Sequence, residues 1–150
     1  KKHSFTKVGR FGVGLNVMYH VSDTVQIYAK DLALVILDPL HTVLQDVNGV
    51  RYDPSKLKPI FPHMLEPFDS VHFDGLHDAF EWPTIFRLPL RKKGSDFGKP
   101  INIHRAHDML MGFMDQVAEA LLFAKSVTQV EFRVRNDDCT DRLIALVNRQ

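Results

Sequence analysis

What this chain has little of narrows its chemistry before any motif is considered. Cys139 is the single cysteine among 150 residues. No internal disulfide can form, and an unpaired thiol suits a reducing compartment, so the expected location is the cytoplasm, with the mitochondrial matrix and the nucleus as alternatives. Charge of one sign is not in excess either: 19 Lys and Arg stand against 18 Asp and Glu, a net charge of +1. That balance creates no global field to draw the chain to nucleic acid or to an anionic membrane, so any partner must be recognised by a local site. No apolar run approaches the roughly 20 residues of a membrane span, and the polar opening KKHSFTKVGR lacks a signal-peptide core. The expectation is a soluble, intracellular protein that engages no membrane.

What is present is enough hydrophobic material, 45% of the residues, to build the core of one compact domain. Leu15, Met18 and Tyr19 share a face at helical spacing, so a loop followed by a short helix is expected at GRFGVGLNVMYHVS. TVQIYAK and LALVILD are β-like and separated only around Lys30 and Asp31, which predicts a hairpin with one well-buried strand. From Pro39 to Trp82 the Asn48-Gly49, Asp53-Pro54, Pro59, Pro62 and Pro67 breakers predict an irregular insertion, residues 39–82, with short helical turns at most. TIFRLPLR predicts a strand with Pro89 at an edge or bulge, and RKKGSDFGKP a polar loop. Asn102 caps a long predicted helix towards Phe123, with Leu110, Phe113, Met114, Val117, Leu121 and Leu122 as its apolar stripe. TQVEFRVR alternates as a half-wet strand does, and a closing helix is expected from Thr140 or Asp141, burying Leu143, Ile144 and Val147. Together these elements predict an α+β layered sandwich with a largely antiparallel sheet and a single domain over residues 1–150.

Gly9, Gly12 and Gly14 form a G-x-x-G-x-G run directly before the first helix. Without Cβ atoms, backbone N–H groups there can approach a polyphosphate, and the helix start adds partial positive charge. The run is neither a dinucleotide fingerprint, since no strand precedes it, nor a Walker loop, since no Gly-Lys-Ser/Thr ends it. A plain turn leading into a helix is the alternative on spacing alone.

The residues around the run carry a resemblance. GRFGVGLNVMYHVSD resembles the G-x-F-G-x-G-F-N-x-x-Y-H-x-T-D stretch of sacsin repeats, members of the GHKL ATP-binding superfamily with gyrase B, MutL and the ninety-kilodalton chaperones. LVILDP, TIFRLPLR and LLFAKSVTQVEF are similar to three further family segments in the same order. The resemblance implies a partial Bergerat-type ATP-binding fold. It further implies that Gly9, Arg10, Phe11, Gly12, Val13 and Gly14 hold nucleotide phosphates, and that Thr84 lies on the adenine side of the pocket. Lys7 is a candidate for extra charge at the phosphates, with a solvated lysine as the alternative. Leu15 in place of an aromatic residue and Pro83 in place of a glycine depart from the family pattern, and the second removes an N–H beside the pocket.

The family's water-activating Glu, magnesium-binding Asn and Asp-x-Gly-x-Gly motif have no counterpart in the sequence. Phosphate contacts alone do not hydrolyse a nucleotide, because hydrolysis needs a positioned water and a bridging metal. The expectation is therefore a carboxy-terminal half that binds ATP, with magnesium only in a completed domain, and that has no catalytic residue or metal site of its own. The expected partners are the missing amino-terminal half or another protein chain, with self-association through an under-covered LVILD strand as a further option and nucleic acid disfavoured. The alternative is a non-catalytic interaction or structural domain. His104 with His107 and His72 with His77 lack the Cys partners or H-E-x-x-H spacing of a metal site and are read as surface or capping residues. Cys139 is read as an inert thiol, Met109, Met111 and Met114 as packing, and Asp137 and Asp138 as a turn.

Overall fold

The computed structural model describes residues 13–29, 32–69, 84–124, 127–135 and 141–148. By their contacts the residues divide into two compact units, Lys1–Ile101 and Asn102–Gln150. The architecture is α+β, and every strand pairing among the described residues is antiparallel.

In the first unit a short helix, α1 (Val13–Asn16), continues as a 3-10 turn over Val17–His20. The predicted hairpin follows as β1 (Val25–Ala29) and β2 (Ala33–Leu37), with Tyr28 opposite Leu34 and Ile27 opposite Val35. Strand β4 (Thr84–Arg87) pairs with the free side of β1, placing Thr84 opposite Ala29. The Pro39–Trp82 stretch, described as far as Asp69, departs from expectation. It contributes a fourth strand, β3 (Gly49–Tyr52), which pairs with β2 and gives the sheet order β3-β2-β1-β4. Asn48-Gly49 thus opens a strand instead of only breaking the chain. A Cβ at Gly49 would lie 3.1 Å from the Leu37 side chain and 3.2 Å from the Ile36 carbonyl oxygen, a tight fit, so the close approach of β3 to β2 favours glycine there.

Strand alternation puts Tyr28, Leu34 and Ile36 on one face of this sheet. Against that face the same insertion lays α2 (Pro54–Leu57), a turn at Pro62–Met64 and α3 (Glu66–Asp69), burying Leu57, Leu65 and Phe68 in one cluster with them. The rings of Tyr28 and Phe68 meet at 4.9 Å. Helix α2 starts where it does because Asp53 caps it, accepting from the Ser55 N–H at 3.0 Å, and because Pro54 suits a first helical turn. The LVILD strand is therefore covered on this face by the insertion.

In the second unit α4 (Ile103–Phe123) matches the predicted helix, and the Asn102 side chain caps it by accepting from the Arg105 N–H at 2.8 Å. It buries Val117 and Leu121, while Phe113 meets the buried Phe132 edge-on at 5.9 Å. Phe132 lies on β5 (Gln129–Arg135), which pairs with β6 (Asp141–Asn148) as a two-stranded ribbon with a bulge beside Phe132. The closing helix expected from Asp141 is thus a strand. DRLIALVN is rich in branched aliphatics whose spacing fits either period, and pairing with β5 decides between them.

Candidate functional site

The glycine run ends in α1. Of the six residues assigned to phosphate, Gly9, Arg10, Phe11 and Gly12 fall outside the described residues, as do Lys7, Pro83, His72, His77, Asp137, Asp138 and Cys139. Val13 and Gly14 form the first turn of α1. A Cβ built on Gly14 would meet nothing within 4 Å, and Gly14 is not in the left-handed region. Among the described residues, neither packing nor backbone geometry demands a glycine there. Thr84 opens β4 and is exposed.

One turn beyond Gly14, the helical segment presents Asn16, Tyr19 and His20 at i, i+3, i+4 spacing, so the three share a face. With Pro39, which follows β2, and Phe97, from the loop after β4, they line an open groove of about 440 Å³. The Tyr19 and Phe97 rings are 4.9 Å apart and tilted by 41°. Burial first, and then the nearby Asp38 carboxylate, push the Tyr19 phenol above its ordinary range, so it remains a neutral hydroxyl at physiological pH.

Two buried charged groups hold the walls of this groove. Arg91, whose side chain is 1% exposed, donates from Nε to Asp23 Oδ1 at 2.6 Å. Its other nitrogens donate to the carbonyl oxygens of Tyr19 at 2.6 Å, His20 at 3.4 Å and Lys99 at 3.2 Å. The Tyr19 and His20 carbonyls end a helical segment and have no partner further along it, which is where a guanidinium fork fits best. The Ser95 hydroxyl donates to the same Asp23 oxygen at 2.7 Å and accepts from the Phe97 N–H at 3.2 Å. Ser95 and Gly98 exchange backbone bonds of 2.9 and 3.0 Å, closing a tight turn whose Gly98, at φ +143°, occupies a region that favours glycine. Phe97 is thereby presented to Tyr19 from a pinned turn.

Asp38, fully buried, organises the other wall. One carboxylate oxygen accepts from the N–H and hydroxyl of Thr42, both at 2.9 Å, and the other from the N–H groups of Val43 at 2.6 Å and Leu44 at 2.7 Å. Burial by itself would raise its pKa. The amide bonds from Leu44, Val43 and Thr42, with the Thr42 hydroxyl, outweigh it and hold the carboxyl below the ordinary carboxylate range.

Chemically, the groove offers two aromatic faces, a proline, a carboxamide and an imidazole, and no carboxylate lines it among the described residues. Asp23, Asp38 and Arg91 are engaged in bonds that shape the walls. Sequence reasoning quoted Asn16, Tyr19, His20 and Asp23 in one string and Arg91 in another, but it did not join them, and it passed over Phe97 as part of a polar loop. The only signal for Phe97 was the Ser95-to-Gly98 turn composition around it.

The sacsin domain family model matches residues 1–144. The chain belongs to the sacsin domain family. This sacsin domain is 31% identical to sacsin of Homo sapiens over 153 residues, an alignment that takes in 96% of this chain and 3% of human sacsin. It therefore spans only a small fraction of the relative it matches. The family match runs through both compact units, and no described helix of this sacsin domain is long and apolar enough to cross a membrane.

Proposed function

We propose that this sacsin domain is part of a GHKL-type ATP-binding module of a chaperone-like protein, supplying a phosphate loop and sheet and leaving hydrolysis to residues of a complementary half. The observation that carries the reading is Gly14. It closes the GRFGVG run on the first turn of a helix, yet among the described residues neither a neighbour nor a positive φ calls for the absence of a side chain. A glycine with no internal reason is accounted for by an external one, the close approach of a ligand to backbone N–H groups. ATP is the proposed ligand, with magnesium entering only in the completed module, and Thr84 is the proposed adenine-side residue. No residue of the chain is assigned to water activation.

The test is titration with a fluorescent ATP analogue. It is run on the chain alone and on the chain mixed with the amino-terminal half of a sacsin repeat, each as wild type and as Gly14→Ala. Binding by wild type that is lost in Gly14→Ala supports the proposal. Equal binding by both, or none in either setting, overturns it.

A second reading is a scaffold that binds no nucleotide. The engagement of Asp23, Asp38 and Arg91 in internal bonds favours it, since the charges nearest the groove are already spent on structure. Failure of the titration in both settings selects this reading.

A further inference from the structure

We infer that Ser95 is a phosphorylation site for a serine kinase directed by basic residues, and that its phosphate releases Phe97 from Tyr19. The loop after β4 has the sequence and exposure such an enzyme needs. Lys92 and Lys93 stand three and two positions before Ser95, residues 92–94 and 96–100 are exposed, and Ser95 itself is half-buried. Two consecutive lysines ahead of an acceptor hydroxyl form the charge pattern by which a kinase with an acidic substrate groove selects its sites. Among the described Ser and Thr residues, Ser95 alone has that pattern. Between Arg91 and Ile101, whose backbone groups are bonded at 2.8 Å, the chain forms no helix and only the bridge between Ser95 and Gly98. A segment held by so few backbone bonds opens locally without unfolding the sheet.

Phosphoryl transfer removes what pins this loop. The Ser95 oxygen bonds the γ-phosphorus of ATP, the bond from that phosphorus to the oxygen bridging it to the β-phosphate breaks, ADP leaves, and the hydroxyl proton passes through the kinase's base to solvent. The ester oxygen keeps no hydrogen, so the donation to Asp23 Oδ1, 2.7 Å long in the unmodified chain, is lost. In its place a group of about −1.5 to −2 charges at neutral pH stands beside a carboxylate, and the two repel. Arg91 does not relieve this where it stands, because Nε is on Asp23 and its other nitrogens are on the Tyr19, His20 and Lys99 carbonyls. The Phe97 N–H donates to Ser95 Oγ at 3.2 Å, so Phe97 moves with Ser95 when Ser95 leaves Asp23. Its ring then quits the 4.9 Å contact with Tyr19, and the groove the two residues line changes shape.

The test uses the 150-residue chain with Ser4→Ala, because Lys1-Lys2-His3-Ser4 repeats the same spacing. The protein is incubated with magnesium ATP and the catalytic subunit of cyclic-AMP-dependent kinase, and phosphate is located by mass spectrometry. Incorporation at Ser95 is expected, with most of it lost in the Lys92→Ala, Lys93→Ala double variant. No phosphate at Ser95, or equal incorporation in the double variant, overturns the site. In the phosphorylated chain, NMR cross-peaks between the Tyr19 and Phe97 ring protons should vanish and chymotrypsin should cut faster after Phe97, and both changes should reverse with a phosphatase. Ser95→Ala removes the hydroxyl without adding charge and should keep the ring contact. Survival of the contact in the phosphoprotein, or its equal loss in Ser95→Ala, overturns the switch. Gly14→Ala should be phosphorylated as wild type is, and ATP without kinase should leave the ring contact in place. A loss of contact caused by ATP alone assigns the effect to nucleotide binding and overturns the switch.

Discussion

Arg91 and Asp23, 68 positions apart in sequence, are joined by a 2.6 Å bond between Nε and Oδ1 that fastens the loop after β4 to the end of the glycine-led helical segment. Because Arg91 also holds the Tyr19 and Lys99 carbonyls, the pair sets where the 3-10 turn and the loop meet, and hence the spacing of Tyr19 and Phe97.

Breaking this pair is expected to be costly. Arg91→Ala leaves Asp23 with the Ser95 hydroxyl as its remaining donor and strips two helix-end carbonyls of theirs; removal of one partner of a buried ion pair costs about 3–5 kcal/mol, and the partly exposed Asp23 places this pair at the lower end. Arg91→Lys should recover only part of the loss, since an ammonium lacks the planar fork. Urea unfolding of both variants checks this, and an Arg91→Lys variant as stable as wild type would show that charge alone suffices.

Asp38 predicts a pH signature. Its folded-state pKa lies below the ordinary 3.8, so its stabilising contribution is fully present above that value and is lost as pH falls through the folded pKa. Asp38→Asn turns an NH2 towards amide donors and should cost about 2 kcal/mol at neutral pH. The gap between wild type and variant should hold down to about pH 4 and narrow below it. Melting temperatures across this range test the prediction, and a gap that widens on acidification would contradict it.

Gly14→Ala separates ligand need from structural need. The added methyl meets open space, so stability should stay the same or rise by up to about 1 kcal/mol. Loss of nucleotide-analogue binding without loss of stability is the expected pattern. Destabilisation by thermal melting would mean that the glycine serves the fold.

Phe68→Ala tests whether the insertion is part of the core. Phe68 is 3% exposed and packs on Tyr28 beneath Leu34 and Ile36, so truncation should cost about 3–5 kcal/mol. It should also increase hydrophobic-dye binding, because the sheet face loses its cover. A neutral effect would mean that the insertion packs only loosely.

Local patterns determined several elements outright. The β1–β2 hairpin follows from two β-rich runs separated by a short break, and α4 follows from an Asn102 cap ahead of an apolar stripe, because caps and periodicity act within a few residues. The family resemblance was equally legible, since it rests on strings of adjacent residues such as GRFGVG and TIFRLPLR. The tertiary structure decided the rest. β3 is a strand because β2 offers it an open edge and Gly49 permits the approach, and DRLIALVN is a strand because β5 needs a partner. The groove exists only because Arg91 and Asp23 bring Phe97 to Tyr19. Sequence order carries no record of such pairings, for the energy that selects them comes from burying backbone groups and charges against residues dozens of positions away.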